Sequence, residues 1–143
     1  MNKTWVVTAE SSRARIFAVE NRISPLRELE DIAHAEGRSR EQDMVSDRPG
    51  RAVDKTGENR HAMDRLVDPK RHEAEVFAKR IAERLERARA KGECEQLVLI
   101  AAPEFLGVLR QNLTANTAKL VGKTIDKNLV QKTEAEIRQY LFE

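Results

Sequence analysis

The sequence predicts an α/β fold, a mixed β-sheet covered by helices in the order β-β-β, long loop, α-β-α-β-α. Three observations carry this reading. Two β-branched and aromatic segments stand a hairpin turn apart near the N-terminus. A long amphipathic helical pattern leads into a segment that is apolar on both alternating faces. The second half of the chain then alternates helix and strand patterns, as parallel β-α-β units do. At 143 residues the chain is expected to form one domain, 1–143, around one core.

Thr4 to Ala9 (TWVVTA) and Ala14 to Val19 (ARIFAV) are predicted to pair antiparallel across Glu10, Ser11 and Ser12. Leu26 to Ile32 follows a turn at Asn21 to Pro25. Its alternation is broken by Arg27, Glu28, Glu30 and Asp31, which suits a half-exposed or edge strand. From His34 to Val67 the chain carries dense charges of both signs, three glycines, one proline and no aromatic residue. Too little apolar area is present to offset an ordering cost of roughly 1–2 kcal/mol per backbone residue, so 34–67 is predicted to be a long polar loop and the place to look for activity.

Asp68 and Pro69 supply an N-cap acceptor and a first-turn proline. Ala74, Phe77, Ala78, Ile81, Leu85 and Ala88 then form one apolar stripe down a helix that stops at Lys91, before Gly92. Gln96 to Ala102 (QLVLIAA) is predicted as a strand buried between layers, and Pro103 opens a second helix through Leu113. Thr114 is placed to cap a short turn, Leu120 to Ile125 reads as the last strand, and Thr133 to Glu136 is a capping box opening a terminal helix.

Composition excludes several function classes. The 26 basic and 24 acidic side chains leave a formal charge of +2, so nucleic-acid binding is permitted but not demanded. Cys94 is the only cysteine, which rules out an intramolecular disulfide and a cysteine-rich zinc site and fits a reducing compartment. The longest apolar run, Leu97 to Ala102, is far short of the roughly 20 residues that cross a bilayer, and no export signal is visible, so a cytoplasmic protein with no membrane partner is expected.

No familiar catalytic or cofactor pattern stands out. His61 and His72, with Asp64, Asp68 and Glu75, have the chemistry of metal ligands, but their spacing matches no known ligand pattern and no metal is expected. Ser11, Ser12, Ser39 and Ser46 lack a glycine-flanked elbow, and Glu93 and Glu95 should raise the Cys94 pKa rather than lower it. The glycines at 50 and 57 form no phosphate-binding motif, so no cofactor is implied.

The stretch TGENRHAMDRLVDPKRHEAEVFAKRIAERL resembles the catalytic-loop segment in the middle domain of eukaryotic and archaeal class-1 translation termination factors. More specifically, WVVTAESSRARIF, LRELEDIAH, VSDRPGRAVD, GENRHAMD, DPKRHEAEVFAKRIAERLERA, LVLIAAPEFLGVLR and IDKNL, in that order, resemble the bacterial host attachment family, which is related to that middle domain. The resemblance covers nearly the whole chain. It implies the termination-factor-like fold and a ribosome- or tRNA-facing role.

In the termination factors a Gly-Gly-Gln tip positions water to cleave peptidyl-tRNA. Here Gly57 takes a tip glycine's place, but Glu58 and Asn59 stand where the second glycine and the glutamine would be. The hydrolytic route therefore lacks its water-positioning group. A peptidyl-tRNA hydrolase working through Gly57, Asn59 and His61 is accordingly the alternative, and an RNA- or ribosome-associated binding module is the main expectation. Its phosphate contacts would come from Arg48, Arg51, Lys55, Arg60, Arg65, Lys70 and Arg71, although Asp43, Asp47, Asp54, Glu58, Asp64 and Asp68 interrupt the same stretch. A protein partner supporting surface attachment is the third expectation, and the sequence leaves the oligomeric state open.

Overall fold

The computed structural model describes residues 3–34 and 69–142. Five strands form one mixed sheet in the order β3-β2-β1-β4-β5. Strand β1 (Thr4–Glu10) pairs antiparallel with β2 (Arg13–Val19), whose outer neighbour is β3 (Arg27–Ala33), also antiparallel. On its other side β1 pairs parallel with β4 (Gln96–Ile100), which pairs parallel with β5 (Val121–Ile125). The predicted mixed sheet and the order of its strands and helices are therefore both present, and the predicted long loop at 34–67 lies, beyond His34, outside the described residues.

Helix α1 (Pro69–Ala90) connects back to the amino end of β4, and α2 (Pro103–Asn112) leaves from that strand's carboxyl end. A single-turn α3 (Ala115–Ala118) precedes β5, and α4 (Glu134–Leu141) closes the chain. Side-chain parity explains the layering. Trp5, Val7 and Ala9 of β1 join Leu97 and Leu99 of β4 against Phe77, Ile81 and Leu85 of α1 and Phe105 and Leu109 of α2. The opposite face presents Val6, Phe17, Val98 and Ile100 to Leu129, Ile137 and Leu141 around α4. Strands buried on both faces read as continuous apolar runs, which is why β1 and β4 were recognisable.

The sheet edges are charged, as exposed edges require. On β3, Asp31 receives two hydrogen bonds from the Arg13 guanidinium at 3.0 and 2.8 Å, and Glu30 accepts one from Arg84 of α1 at 2.6 Å. The Arg84 guanidinium also lies 5.2 Å over the Trp5 ring. The broken alternation of β3 has its counterpart in a register shift opposite Ile16 and Phe17.

Helix ends follow the sequence signals. Gly92, at φ 74°, ends α1: its N–H donates to Arg89 O at 3.0 Å, and the Glu93 N–H donates to Ala88 O at 2.9 Å. Thr133 and Glu136 form the reciprocal capping box of α4, and the Thr114 hydroxyl accepts from the Thr117 N–H at the start of α3. The predicted cap at Asp68 lies outside the described residues.

Candidate functional site

Parallel β1 and β4 pair as far as Thr8 and Ile100, and their carboxyl ends define one edge of the sheet. In open α/β sheets this edge is where ligands collect, because the connections leaving it are free to diverge. Here a cleft of about 600 Å³ opens on that edge between α1 and α2. The β1–β2 turn contributes Glu10 and Ser11, and the first turn of α1 contributes Lys70 and Arg71, with Ala74 one turn further along. Across the cleft stand Ala102 and the α2 residues Glu104, Phe105, Gly107, Val108 and Gln111. Glu104, Gly107, Val108 and Gln111 lie three or four residues apart and form one helical stripe, which Phe105 joins to the core-facing side of Leu106 and Leu109.

The same edge holds both flanks of the 35–68 segment. The His34 N–H donates to Ser12 O at 2.9 Å, and the buried imidazole places Nε2 3.0 Å from Glu73 Oε1. The ring stacks on Phe77 with centroids 5.2 Å apart. One turn further along α1, Arg80 donates to Ala33 O at 3.3 Å. Residue 34 is thus fastened to the first turns of α1, beside the cleft. The sequence assigned His34 only to the start of the polar stretch; its clasp with Glu73 and Phe77 depends on residues 39 and 43 positions away.

Charges in the cleft are mixed. Arg71 pairs with Glu75 at 3.7 Å on the exposed side of α1, while Glu10 accepts hydrogen bonds at 3.4 Å from Ser12 and Asn128. The arrangement suits a ligand with both anionic and hydroxyl groups, since Lys70 and Arg71 line the cleft together with Glu10 and Glu104.

Of the residues singled out from sequence, Lys70 and Arg71 line this cleft, and His72 is exposed on the same helical turn. Arg48, Arg51, Lys55, Gly57, Asn59, Arg60, His61 and Arg65 lie outside the described residues. Glu10, Ser11, Glu104, Gly107, Val108 and Gln111 were missed. The signal available for them was the stripe of small and polar residues on α2, with a glycine in mid-helix.

Cys94 is buried away from the cleft's lining, with its pKa pushed up to about 11, by burial first and by the Glu95 charge as a lesser cause. The direction agrees with the sequence reading and the main cause differs. A thiol so rarely ionised is a poor nucleophile. Among the described residues no group of three or more His, Cys, Asp or Glu side chains is placed to hold a metal, and no helix is long and apolar enough to cross a membrane.

Residues 5–141 match the model of a family described as proteins required for attachment to host cells. The chain belongs to this host attachment family. One similar relative is a protein of Rickettsia prowazekii (strain Madrid E) described as uncharacterized, 40% identical over 48 residues that make up 34% of this chain and 32% of the relative. A solved structure described as an archaeal protein aligns with 94% of this host attachment chain and 32% of its own length, at 13% identity and a TM-score of 0.51. Each of these matches spans about a third of the other protein, and the archaeal structure speaks for the fold alone.

Proposed function

We propose that this host attachment protein is a cytoplasmic RNA-facing binding module, akin to the middle domain of termination factors, and that it works at the carboxyl edge of its sheet. The observation that carries the reading is the placement of Lys70 and Arg71. Both stand in the first turn of α1 and line a cleft beside the point where residue 34 is fastened. The intervening sequence holds Arg48, Arg51, Lys55, Arg60 and Arg65. Phosphate contacts of this kind are sequence-independent and set both affinity and its dependence on salt. Binding, not ester hydrolysis, is the reading, because the sequence Gly57-Glu58-Asn59 lacks the glutamine that would position water.

The test is titration of purified protein with tRNA and with ribosomes over a series of salt concentrations. Affinity should fall steeply with salt. The Lys70→Ala, Arg71→Ala double variant should weaken binding and reduce the slope of log affinity against log salt by about 1.5, at roughly 0.7 to 0.9 per lost phosphate contact. Arg60→Ala and Arg65→Ala should each add to the loss. Affinity that ignores salt, or is equal in all variants, removes the proposal. Crosslinking in cells that recovers protein partners and no RNA would favour the protein-interaction role that the family's description suggests.

A further inference from the structure

Gly107 occupies the middle of α2, yet glycine is the poorest helix former after proline. Two structural demands ordinarily justify such a residue, a left-handed backbone or a crowded neighbour. Neither applies. Among the described residues Gly92 alone has a positive φ, and a Cβ built on Gly107 meets none of their heavy atoms within 4 Å. No contact among the described residues therefore calls for the side chain's absence. Its effect is to leave the α2 backbone bare toward the cleft, so that a flat group could lie closer to the helix than any side chain would permit.

The cleft's lining changes along the two helices. Helix α1 runs from the carboxyl edge of the sheet toward the amino edge, and α2 leaves the same carboxyl edge, so residues on the two helices form levels. Lys70, Arg71 and Glu104 lie in the first turns of the two helices, with Ser11 beside them; one turn further along come Ala74, Val108 and the exposed Gly107, and the exposed Gln111 comes a turn beyond. Cations in the first turn of α1 suit a phosphate, and carboxylate and hydroxyl groups beside them suit ribose hydroxyls. An apolar level bounded by bare backbone suits the face of a base, and a carboxamide one turn along suits the base's hydrogen-bonding edge. A volume of about 600 Å³ fits one small ligand and excludes a duplex.

We infer that the cleft takes a single unstacked nucleotide, its phosphate at Lys70 and Arg71 and its base laid across Gly107. This rests on the RNA-facing reading and narrows it to a single-stranded end or loop. Free nucleotides share this chemistry, so the experiment separates the two sources.

The parent chain, Gly107→Ala and Gly107→Leu are compared by fluorescence anisotropy with a short single-stranded RNA and with the same backbone made abasic; adenosine 5′-monophosphate is titrated by calorimetry. Thermal unfolding of each variant verifies folding, which the open space at 107 should preserve. The parent should prefer the base-bearing RNA several-fold, a smaller gain than stacking on an aromatic ring gives. Gly107→Leu should abolish that preference while keeping salt-dependent affinity for the abasic strand, and Gly107→Ala should fall between.

If the parent binds both strands equally, or Gly107→Leu binds as the parent does, the nucleotide site is refuted and the RNA-facing reading stands. If adenosine monophosphate binds as tightly as RNA, the nucleotide site stands and the RNA reading falls. If no probe binds, both fall.

Discussion

Glu86 shows how much one side chain gains from partners that the sequence keeps far apart. Its carboxylate receives two hydrogen bonds from Arg89, at 3.0 and 2.7 Å, and one each from Thr114 at 3.0 Å and Thr117 at 2.7 Å. The Arg89 bonds first, then those of the two threonines, lower its pKa from 4.5 to about 2. The folded state therefore prefers the ionised form. Its contribution is fully present above pH 4.5 and is lost as pH falls through about 2. In Glu86→Gln the contribution is missing at every pH. The difference in melting temperature between parent and variant should be largest above pH 4.5 and close toward pH 2; a difference independent of pH would show that the carboxylate's charge is not what holds α3 to α1. From sequence, only the Arg89 partner three residues away was within reach of a helical rule. The two threonines, 28 and 31 positions distant, were not.

Elements were legible wherever their signals are local. The capping box of α4 is written in four consecutive residues, Thr133 to Glu136, and both reciprocal bonds form: Thr133 Oγ1 accepts from the Glu136 N–H at 3.2 Å, and Glu136 Oε1 accepts from the Thr133 N–H at 3.0 Å. An eight-residue helix is marginal on its own and depends on such ends and on packing of Ile137 and Leu141. Thr133→Ala should therefore cost about 1 kcal/mol. Urea unfolding should show a lower midpoint with an unchanged slope, since the surface exposed on unfolding stays the same. An unaltered midpoint would mean that α4 is held by its apolar face alone. The strand order was less accessible. Antiparallel β1–β2 follows from a short turn, but the position of β4 between β1 and β5 is settled by which apolar faces meet across layers. The cleft was hidden for the same reason, as its walls come from the β1–β2 turn, the start of α1 and the exposed stripe of α2.

At the scale of the whole molecule, both cores are assembled from described residues, and α1 is fastened to the end of β3 by Glu73, Arg80 and Arg84, which meet His34, Ala33 and Glu30. His34 meets Glu73, which lies one helical turn beyond Pro69, so a linker need span only about 10 Å between residues 34 and 69. About eight Gly/Ser residues reach more than twice that distance when extended. Replacing residues 35–68 with such a linker shortens a 34-residue closure roughly fourfold, which lowers its entropic cost by about 1 kcal/mol. The shortened protein should unfold cooperatively at the parent's melting temperature or slightly above it. Loss of cooperativity would show that the removed residues contribute to the interior. Because the same replacement deletes Arg48, Arg51, Lys55, Arg60 and Arg65 while keeping Lys70, Arg71 and Gly107, it also divides the two functional proposals. Affinity for tRNA and its salt slope should both drop, whereas the preference for a base-bearing over an abasic strand should persist in the cleft. If that preference disappears while the protein stays folded, selectivity belongs to the removed segment and not to the carboxyl edge of the sheet.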